Sequence, residues 1–145
     1  MQGLIQRVSH ADVTVDGKMV GAIERGLLLL LGVERDDTQA NLEKLLNKVL
    51  NYRIFPDEQH KMNLSVRDIN GGLLVVSQFT LAADTAKGLR PSFTPAGSPE
   101  LAEKLYDNFI EAARQQLDQV ACGVFAANMQ VSLCNDGPVT FLLKA

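Results

Sequence analysis

The feature that most constrains the fold is the Gly137-Pro138 pair, which separates two apolar strand patterns near the C-terminus. In the first pattern, residues 129–134, apolar and polar residues alternate with the period of two that is typical of a half-buried strand. The second covers residues 139–143. Because proline lacks an N–H and has a fixed φ, Pro138 cannot lie inside a central ladder. It must therefore occupy an edge, a turn or a strand start, and the bond before it can be cis at a cost of about 0.5–1 kcal/mol.

Length and composition indicate one globular domain spanning residues 1–145. Hydrophobic residues make up 46% of the chain and charged residues 21%, and no linker or repeat interrupts it. The longest apolar run, residues 27–31, is far shorter than the roughly 20 residues that a membrane span needs. The first residues carry no charged leader followed by an apolar region. We therefore expect a cytoplasmic protein with no membrane partner.

The cysteines, histidines and net charge argue against several functions. Cys122 and Cys134 lie outside any C-x-x-C motif, and His10 and His60 are not in metal-ligand spacing, so we expect reduced thiols, no metal and no organic cofactor. A net charge of −3 argues against broad electrostatic capture of nucleic acid, so any nucleic-acid partner would be held at a small local site. We expect no DNA partner.

Hydrophobic periodicity predicts a mixed sheet with two helices. The turn pair Asp16-Gly17 indicates a hairpin, and apolar residues on both faces of 27–33 indicate a central strand. Strands are predicted at 4–8, 12–16, 19–23, 27–33, 62–66, 73–81, 129–133 and 139–143, with a further apolar segment at 120–125. A helix is predicted after the caps at 36–38, and another after Ser98-Pro99. The fold class is α/β (α+β): a single domain with a mixed, largely antiparallel, barrel-like sheet and two long helices.

Polar side chains end the strand predicted at 73–81, and a long loop follows. Ser77, Gln78 and Thr80 are hydrogen-bonding residues at a strand end, where sites are commonly built. Residues 82–97 are predicted to form a loop, and a loop of that length in a small domain is usually functional or mobile. Within it, Lys87 and Arg90 are either phosphate contacts or ordinary surface charges.

Ser77-Gln78-Phe79-Thr80 and the segment from Asn135 to Thr140 are together similar to the motifs of the D-aminoacyl-tRNA deacylase family, the chiral proofreading enzymes of translation. The resemblance covers essentially the whole chain, including residues 6–8, 61–65, 123–125 and 129–133. Ala126 and Asn128 depart from the family pattern.

The resemblance implies a homodimer that acts on the 3′ end of aminoacyl-tRNA, with two active sites at the subunit interface. The catalytic set would be Ser77, Gln78, Phe79 and Thr80. The substrate-binding and chiral-selection set would be Gly137, Pro138, Asn135, Phe125, Met129 and Arg7. A cis Gly137-Pro138 pair would enter each site from the other subunit, and water would hydrolyse the ester between a D-amino acid and the terminal adenosine.

These residues suit that chemistry. Carbonyls of Gly137 and Pro138 would accept from the α-ammonium group while their rigid atoms exclude an L side chain, which is discrimination by a clash. Glycine would partly pass such a filter, which makes glycyl-tRNA, including glycine mischarged on alanine tRNA, a secondary substrate. Arg7 is either a clamp on the Gly-Pro carbonyls or a surface ion-pair partner.

Catalysis itself has two alternatives. Main-chain N–H groups around Phe79 and Thr80 would form an oxyanion hole, worth roughly 3–4 kcal/mol per donor in other hydrolases. Thr80 could act as a nucleophile, but a hydroxyl without an adjacent base is weak. In the favoured mechanism the substrate's own 2′-OH and bound water take part, Gln78 orients them and Ser77 supports the strand end.

Two other functions are also consistent with the sequence. The chain could be a non-catalytic dimer that binds RNA ends or peptides, with the Gly-Pro edge purely a subunit contact. It could also be a thiol enzyme that uses Cys122 or Cys134.

Overall fold

The computed structural model describes residues 1–145, which form eight strands and two α-helices. The elements are β1 (Gln2–Val15), β2 (Lys18–Ile23), β3 (Gly26–Gly32), α1 (Gln39–Asn51), β4 (Phe55–Pro56), β5 (Met62–Leu64), β6 (Gly72–Ser77), α2 (Pro99–Arg114), β7 (Val120–Cys122) and β8 (Met129–Lys144). A short 3₁₀ helix, Phe79–Ala82, follows β6. None of the helices is long and apolar enough to cross a membrane.

Six strands form one mixed sheet in the order β2-β1-β3-β6-β7, and β8 pairs along β1. The pairs that β1 makes with β2, β3 and β8 are antiparallel, whereas β3–β6 and β6–β7 are parallel. The two ends of the sheet approach each other, since a Cβ placed on Gly21 of β2 would lie 2.5 Å from the carbonyl oxygen of Cys122 in β7. The mixed, largely antiparallel, barrel-like sheet with two helices is therefore confirmed.

The central strand β3 is buried on both faces, as predicted. Leu27, Leu29 and Leu31 pack in the larger core between the sheet and the helices, whereas Leu28 packs in a second cluster on the opposite face. Burial of each such side chain contributes about 1.5–3 kcal/mol of gross stabilisation. With both faces covered, β3 and its parallel neighbour β6 form the fixed centre of the domain.

Both helices begin where the sequence places their caps. Thr38 precedes α1, and its N–H donates to Asn41 Oδ1 at 2.9 Å. Ser98 precedes α2, where its Oγ accepts from the N–H of Leu101 at 3.3 Å and Pro99 is the first helical residue. The buried stripe of α1 is the predicted set Leu42, Leu45, Leu46, Val49 and Leu50. The two amphipathic patterns therefore determine which helix faces meet the sheet.

Two pairs of predicted strands are each one long strand. Residues 4–8 and 12–15 lie within β1, which continues through the exposed Ser9 and His10 because both halves pair with β8. Asp16, the last residue of the second predicted strand, lies in the turn that follows. Residues 129–133 and 139–143 both lie within β8. Register is lost only locally, since Gln6 pairs with Thr140 while Val8 pairs with Asn135. The predicted boundaries were wrong because long-range pairing continues through residues whose local pattern is polar.

The strand predicted at 73–81 is shorter than expected. It ends at Ser77, and the N–H of Gln78 donates to the carbonyl of Leu31 at 2.8 Å before the chain turns into the 3₁₀ helix. Phe79 and Thr80 have high β-propensity, so their residue types gave no sign of this turn. The predicted segment 120–125 is likewise a strand only over β7.

Candidate active site

A cavity of about 530 Å³ opens where β6 ends. It is enclosed by the end of β6, the start of α2 and the segment that leads into β8. The predicted residues Ser77, Gln78, Phe79, Phe125 and Met129 all line it. The remaining lining is mainly apolar: Leu31, Val33, Val76, Gly97, Pro99, Ala102, Tyr106, Ala126, Ala127 and Val131. A mostly apolar concavity of this size with a few polar groups is the usual form of a small-molecule site.

The 3₁₀ helix presents main-chain donors at the edge of this cavity. Phe79 is its first residue, and the first N–H groups of a helix have no acceptor within it. The chain reverses there through bonds from the N–H of Leu81 to the carbonyl of Gln78, at 3.2 Å, and from the N–H of Ala83 to that of Thr80, at 3.1 Å. The fold thus places the N–H groups of Phe79 and Thr80 together at a turn beside the cavity.

Thr80 lies beside the cavity without lining it. Its side chain is exposed, and its Oγ1 accepts from Gln78 Nε2 at 2.5 Å. Its hydroxyl has no hydrogen bond to a histidine or a carboxylate; His10 instead contacts Ser9 on β1. The hydroxyl of Thr80 therefore has the Gln78 amide as its neighbour, and no histidine or carboxylate is placed to act as a base on it.

A second group of predicted residues lies on a bulge of β8. Residues 136–139 stand opposite the single residue Arg7 of β1, because Thr140 pairs with Gln6 and Asn135 with Val8. The Gly137-Pro138 bond in this bulge is cis, and both residues are exposed. Gly137 has φ of 146°, and a Cβ there would lie 2.6 Å from Val139 Cγ2. Neither residue lines the cavity of its own chain.

Side chains on either side of the bulge hold it in place. Arg7 donates from Nε to the carbonyl of Asp136 at 2.9 Å and from Nη1 to the carbonyl of Ile54 at 2.6 Å. Asn135 Oδ1 accepts from the N–H of Val139 at 2.7 Å, and its Nδ2 donates to Thr140 Oγ1 at 2.9 Å. The Arg7 side chain is 12% exposed. Arg7 therefore holds the main chain at Asp136, one residue before the Gly-Pro pair, and does not donate to the carbonyls of Gly137 and Pro138 as predicted.

Lys87 and Arg90 lie on the exposed loop between the 3₁₀ helix and α2, outside the cavity lining. The same loop carries Phe93, whose ring centroid is 5.0 Å from that of Phe79. The loop thus borders the site without entering it.

The sequence analysis did not predict that α2 forms one wall of the cavity. Pro99, Ala102 and Tyr106 face the cavity, and Ala102 and Tyr106 share one helix face at a spacing of four residues. The Tyr106 hydroxyl lies 3.0 Å from the carbonyl of Val75 and 3.2 Å from that of Gly123. Burial raises the pKa of the Tyr106 hydroxyl far above its ordinary range, so it remains a neutral donor. A tyrosine on the apolar stripe of α2 was the available signal.

No group of three or more His, Cys, Asp or Glu side chains is arranged to hold a metal ion. Cys122 is half-buried and Cys134 is exposed, and neither lines the cavity. The site therefore offers main-chain donors, amide and hydroxyl groups and an apolar wall, without a thiol.

Fold and site together define a small barrel-like α/β protein with an apolar cavity beside the end of a central strand. The family model described as D-Tyr-tRNA(Tyr) deacylase matches residues 4–144. The chain belongs to this family.

Individual relatives agree over the full length. A protein of Stutzerimonas stutzeri (strain A1501) named D-aminoacyl-tRNA deacylase is 64% identical, with 100% of both chains covered. One of the same name from Shewanella amazonensis is 62% identical, with 99% of each chain covered.

Two solved structures share the fold. One is described as c-Myc DNA Unwinding Element Binding Protein; it is 43% identical, has a TM-score of 0.96 and covers 100% of this chain and 99% of its own. The other, described as a probable eukaryotic D-amino acid tRNA deacylase, is 18% identical with a TM-score of 0.80, covers 99% of this chain and 98% of its own, and shows the fold alone.

Proposed function

We propose that this chain hydrolyses the ester bond of D-aminoacyl-tRNA and releases free D-amino acid and tRNA, as a proofreading step in the cytoplasm. The observation that carries this proposal is the cavity beside Ser77, Gln78 and Phe79, with main-chain donors at its edge. Relatives that are 56–64% identical over nearly the whole chain carry the name of this activity. The family assignment favours the enzyme over the non-catalytic RNA-end or peptide binder.

The reaction needs no strong nucleophile from the protein. An aminoacyl ester on ribose is already activated, and its vicinal hydroxyl lies next to the reacting carbon. The N–H groups of Phe79 and Thr80 would stabilise the oxyanion, an effect worth roughly 3–4 kcal/mol per donor. Gln78 would orient the attacking water, and Ser77 would hold the end of β6. Water adds to the ester carbonyl, the ribose oxygen leaves and takes up a proton, and the carboxylic acid is released.

Chiral selection would come from the bulge of a second copy. Gly137 and Pro138 are exposed and do not line their own cavity, yet Arg7 and Asn135 fix the chain on both sides of them. An exposed segment held this firmly is preorganised to act on something outside its own chain. In a homodimer with sites at the interface, its carbonyls would accept from the α-ammonium group and its atoms would occupy the space of an L side chain. Phe125 and Met129 would form the apolar wall.

The test compares D-Tyr-tRNA, L-Tyr-tRNA and glycyl-tRNA at matched concentrations. We expect rapid release of D-tyrosine, slower release of glycine and no release of L-tyrosine above the spontaneous rate. A protein inactivated by filling the cavity, Ala102→Phe, is the matched control, because Ala102 lines the cavity without belonging to the catalytic set. Equal rates on the D- and L-esters, or no turnover, would discard the proposal, and binding without turnover would favour the non-catalytic module.

A further inference from the structure

Two exposed aromatic rings lie on the rim of the cavity, and the hydrolytic mechanism uses neither of them. Phe79 is 59% exposed and Phe93 is 43% exposed. Their centroids are 5.0 Å apart with the planes at 52°. Phe79 lines the cavity and Phe93 does not, so the pair, here named the aromatic platform, extends from the cavity edge outward. Large apolar side chains left exposed together commonly mark a binding surface.

The loop that carries Phe93 is firmly attached at its base. Asp84 and Ser92 pair through their main chains, with N···O distances of 2.8 and 3.0 Å. Further along, the N–H of Arg35 donates to the carbonyl of Pro95 at 3.0 Å, and that of Gly97 to the carbonyl of Val33 at 2.9 Å. Main-chain hydrogen bonds therefore fix the backbone on both sides of Phe93.

The tip of this loop is exposed and carries positive charge. Lys87 and Arg90 flank Leu89, which is fully exposed. Asp84 is the single acidic residue between positions 83 and 97, and its Oδ1 already accepts from the N–H of Ala86 at 2.9 Å. The segment thus combines aromatic faces with uncompensated cations on a chain whose net charge is −3.

We propose that the aromatic platform stacks the unpaired nucleotide that immediately precedes the terminal adenosine of the tRNA, with Lys87 and Arg90 placed toward its phosphates. The proposal rests on the function proposed above, which seats the terminal aminoacyl-adenosine in the cavity. The preceding nucleotides must then cross the rim. Bases stack on aromatic side chains in single-stranded recognition, and nearby cations neutralise the backbone.

The experiment separates this contact from catalysis by comparing two substrates that share one ester. D-Tyr-tRNA contains the upstream nucleotides, and D-tyrosyl-adenosine lacks them. For Phe93→Ala, we expect the ratio of kcat/KM on D-Tyr-tRNA to that on D-tyrosyl-adenosine to fall about tenfold. Phe93→Leu keeps an apolar cover over Phe79 but has no flat face, so the ratio should fall similarly. Phe93→Trp should preserve it.

Matched controls address surface hydrophobicity and charge. Met62 is 51% exposed on β5, remote in sequence from the loop, and Met62→Ala should leave the ratio unchanged. Neutralising Lys87 and Arg90 together, with Lys87→Gln and Arg90→Gln, should flatten the salt dependence of kcat/KM on D-Tyr-tRNA. Phe93→Ala should leave that salt dependence as it is, because stacking releases no counterions.

Each other outcome counts against the platform. An equal loss on both substrates would mean that Phe93 only supports the main chain at Phe79, and an unchanged ratio would mean that it contacts no nucleotide. Conversion of the Phe93→Ala protein to a monomer in sedimentation would identify the rings as a subunit contact. Failure of the unmodified protein to cleave either ester would instead remove the proposed function itself, and the platform with it.

Discussion

The guanidinium of Arg7 donates from Nε to the main-chain carbonyl of Asp136 at 2.9 Å, one residue before the exposed Gly137-Pro138 pair. Nη1 of the same guanidinium donates to the carbonyl of Ile54 at 2.6 Å. This one side chain therefore connects β1, the residue before β4 and the bulge of β8. The contact with the Asp136 carboxylate is longer, at 3.5 Å, and that carboxylate is 50% exposed. The positioning of the bulge therefore depends on the geometry of the guanidinium more than on its charge.

Arg7→Lys should lower kcat/KM on D-Tyr-tRNA about tenfold, because an ammonium group cannot reproduce the fixed fork that reaches both carbonyls. Arg7→Ala should in addition lower the free energy of unfolding by about 1–3 kcal/mol, since the carbonyl of Ile54 loses its donor. Asp136→Asn is the matched control; it keeps the main-chain acceptor and should change stability by less than about 1 kcal/mol. Urea denaturation and steady-state kinetics measure both effects, and unaltered kinetics in Arg7→Lys would contradict the role given to Arg7.

Gly137→Ala should greatly reduce deacylation while leaving the fold intact. The φ of 146° disfavours any L side chain, and the new Cβ would lie 2.6 Å from Val139 Cγ2 and 2.9 Å from the Val139 nitrogen. The displacement is confined to an exposed bulge, so circular dichroism and Tm should remain near those of the unmodified protein. Activity on D-Tyr-tRNA at the unmodified level would show that the position of Gly137 is not used.

Mixing two inactive variants tests whether the bulge acts on the other subunit. Ala102→Phe fills the cavity and Gly137→Ala displaces the bulge. After co-refolding in equal amounts, half of the dimers should contain both variants and each of these should hold one intact site, which gives about a quarter of full activity. No recovery, with mixed dimers demonstrated by mass spectrometry, would place the bulge and the cavity of one chain in the same site.

Thr80→Ala should retain most of the activity on D-Tyr-tRNA. The Thr80 hydroxyl contacts only the amide of Gln78, at 2.5 Å, and an unassisted hydroxyl is a weak nucleophile. Its main-chain N–H, which the proposal uses as an oxyanion donor, survives the substitution. The measurement is single-turnover release of D-tyrosine, with mass spectrometry of the quenched protein. A tyrosyl-enzyme adduct, or a loss of more than about a hundredfold, would favour covalent catalysis by Thr80.

Tyr106 should make stability depend on pH in the alkaline range. Burial raises the pKa of its hydroxyl in the folded state, whereas the unfolded chain ionises near pH 10. Above that pH the unfolded state binds fewer protons than the folded state, so this contribution to stability falls by about 1.4 kcal/mol per pH unit. Tyr106→Phe should lack this component and lose about 1 kcal/mol at neutral pH, because the carbonyl of Gly123 loses a donor. Unfolding free energies between pH 8 and pH 11 compare the two proteins; parallel curves would refute the buried neutral hydroxyl.

Local patterns predicted most of the elements but not the points where they end. The Asp16-Gly17 hairpin, the two capped helices and the doubly buried strand β3 all depend on turn chemistry or periodicity within a few residues. The predicted end of β6 was wrong. The strand stops where the N–H of Gln78 donates to the carbonyl of Leu31, a residue that is distant in sequence. Nothing in the residue types of Phe79 and Thr80 encodes that bond.

The sequence by itself determined the residue types available for chemistry, the periodicities of the strands and helices, and a proline that had to lie outside a regular ladder. Only the tertiary structure decided that four residues of β8 stand opposite Arg7, and that α2 closes the cavity with Ala102 and Tyr106. The physical reason is the separation in sequence of the residues that interact. Caps, turns and amphipathic stripes arise from contacts within one or two turns of chain, whereas a cavity and a bulge depend on which distant strands pair and in which register.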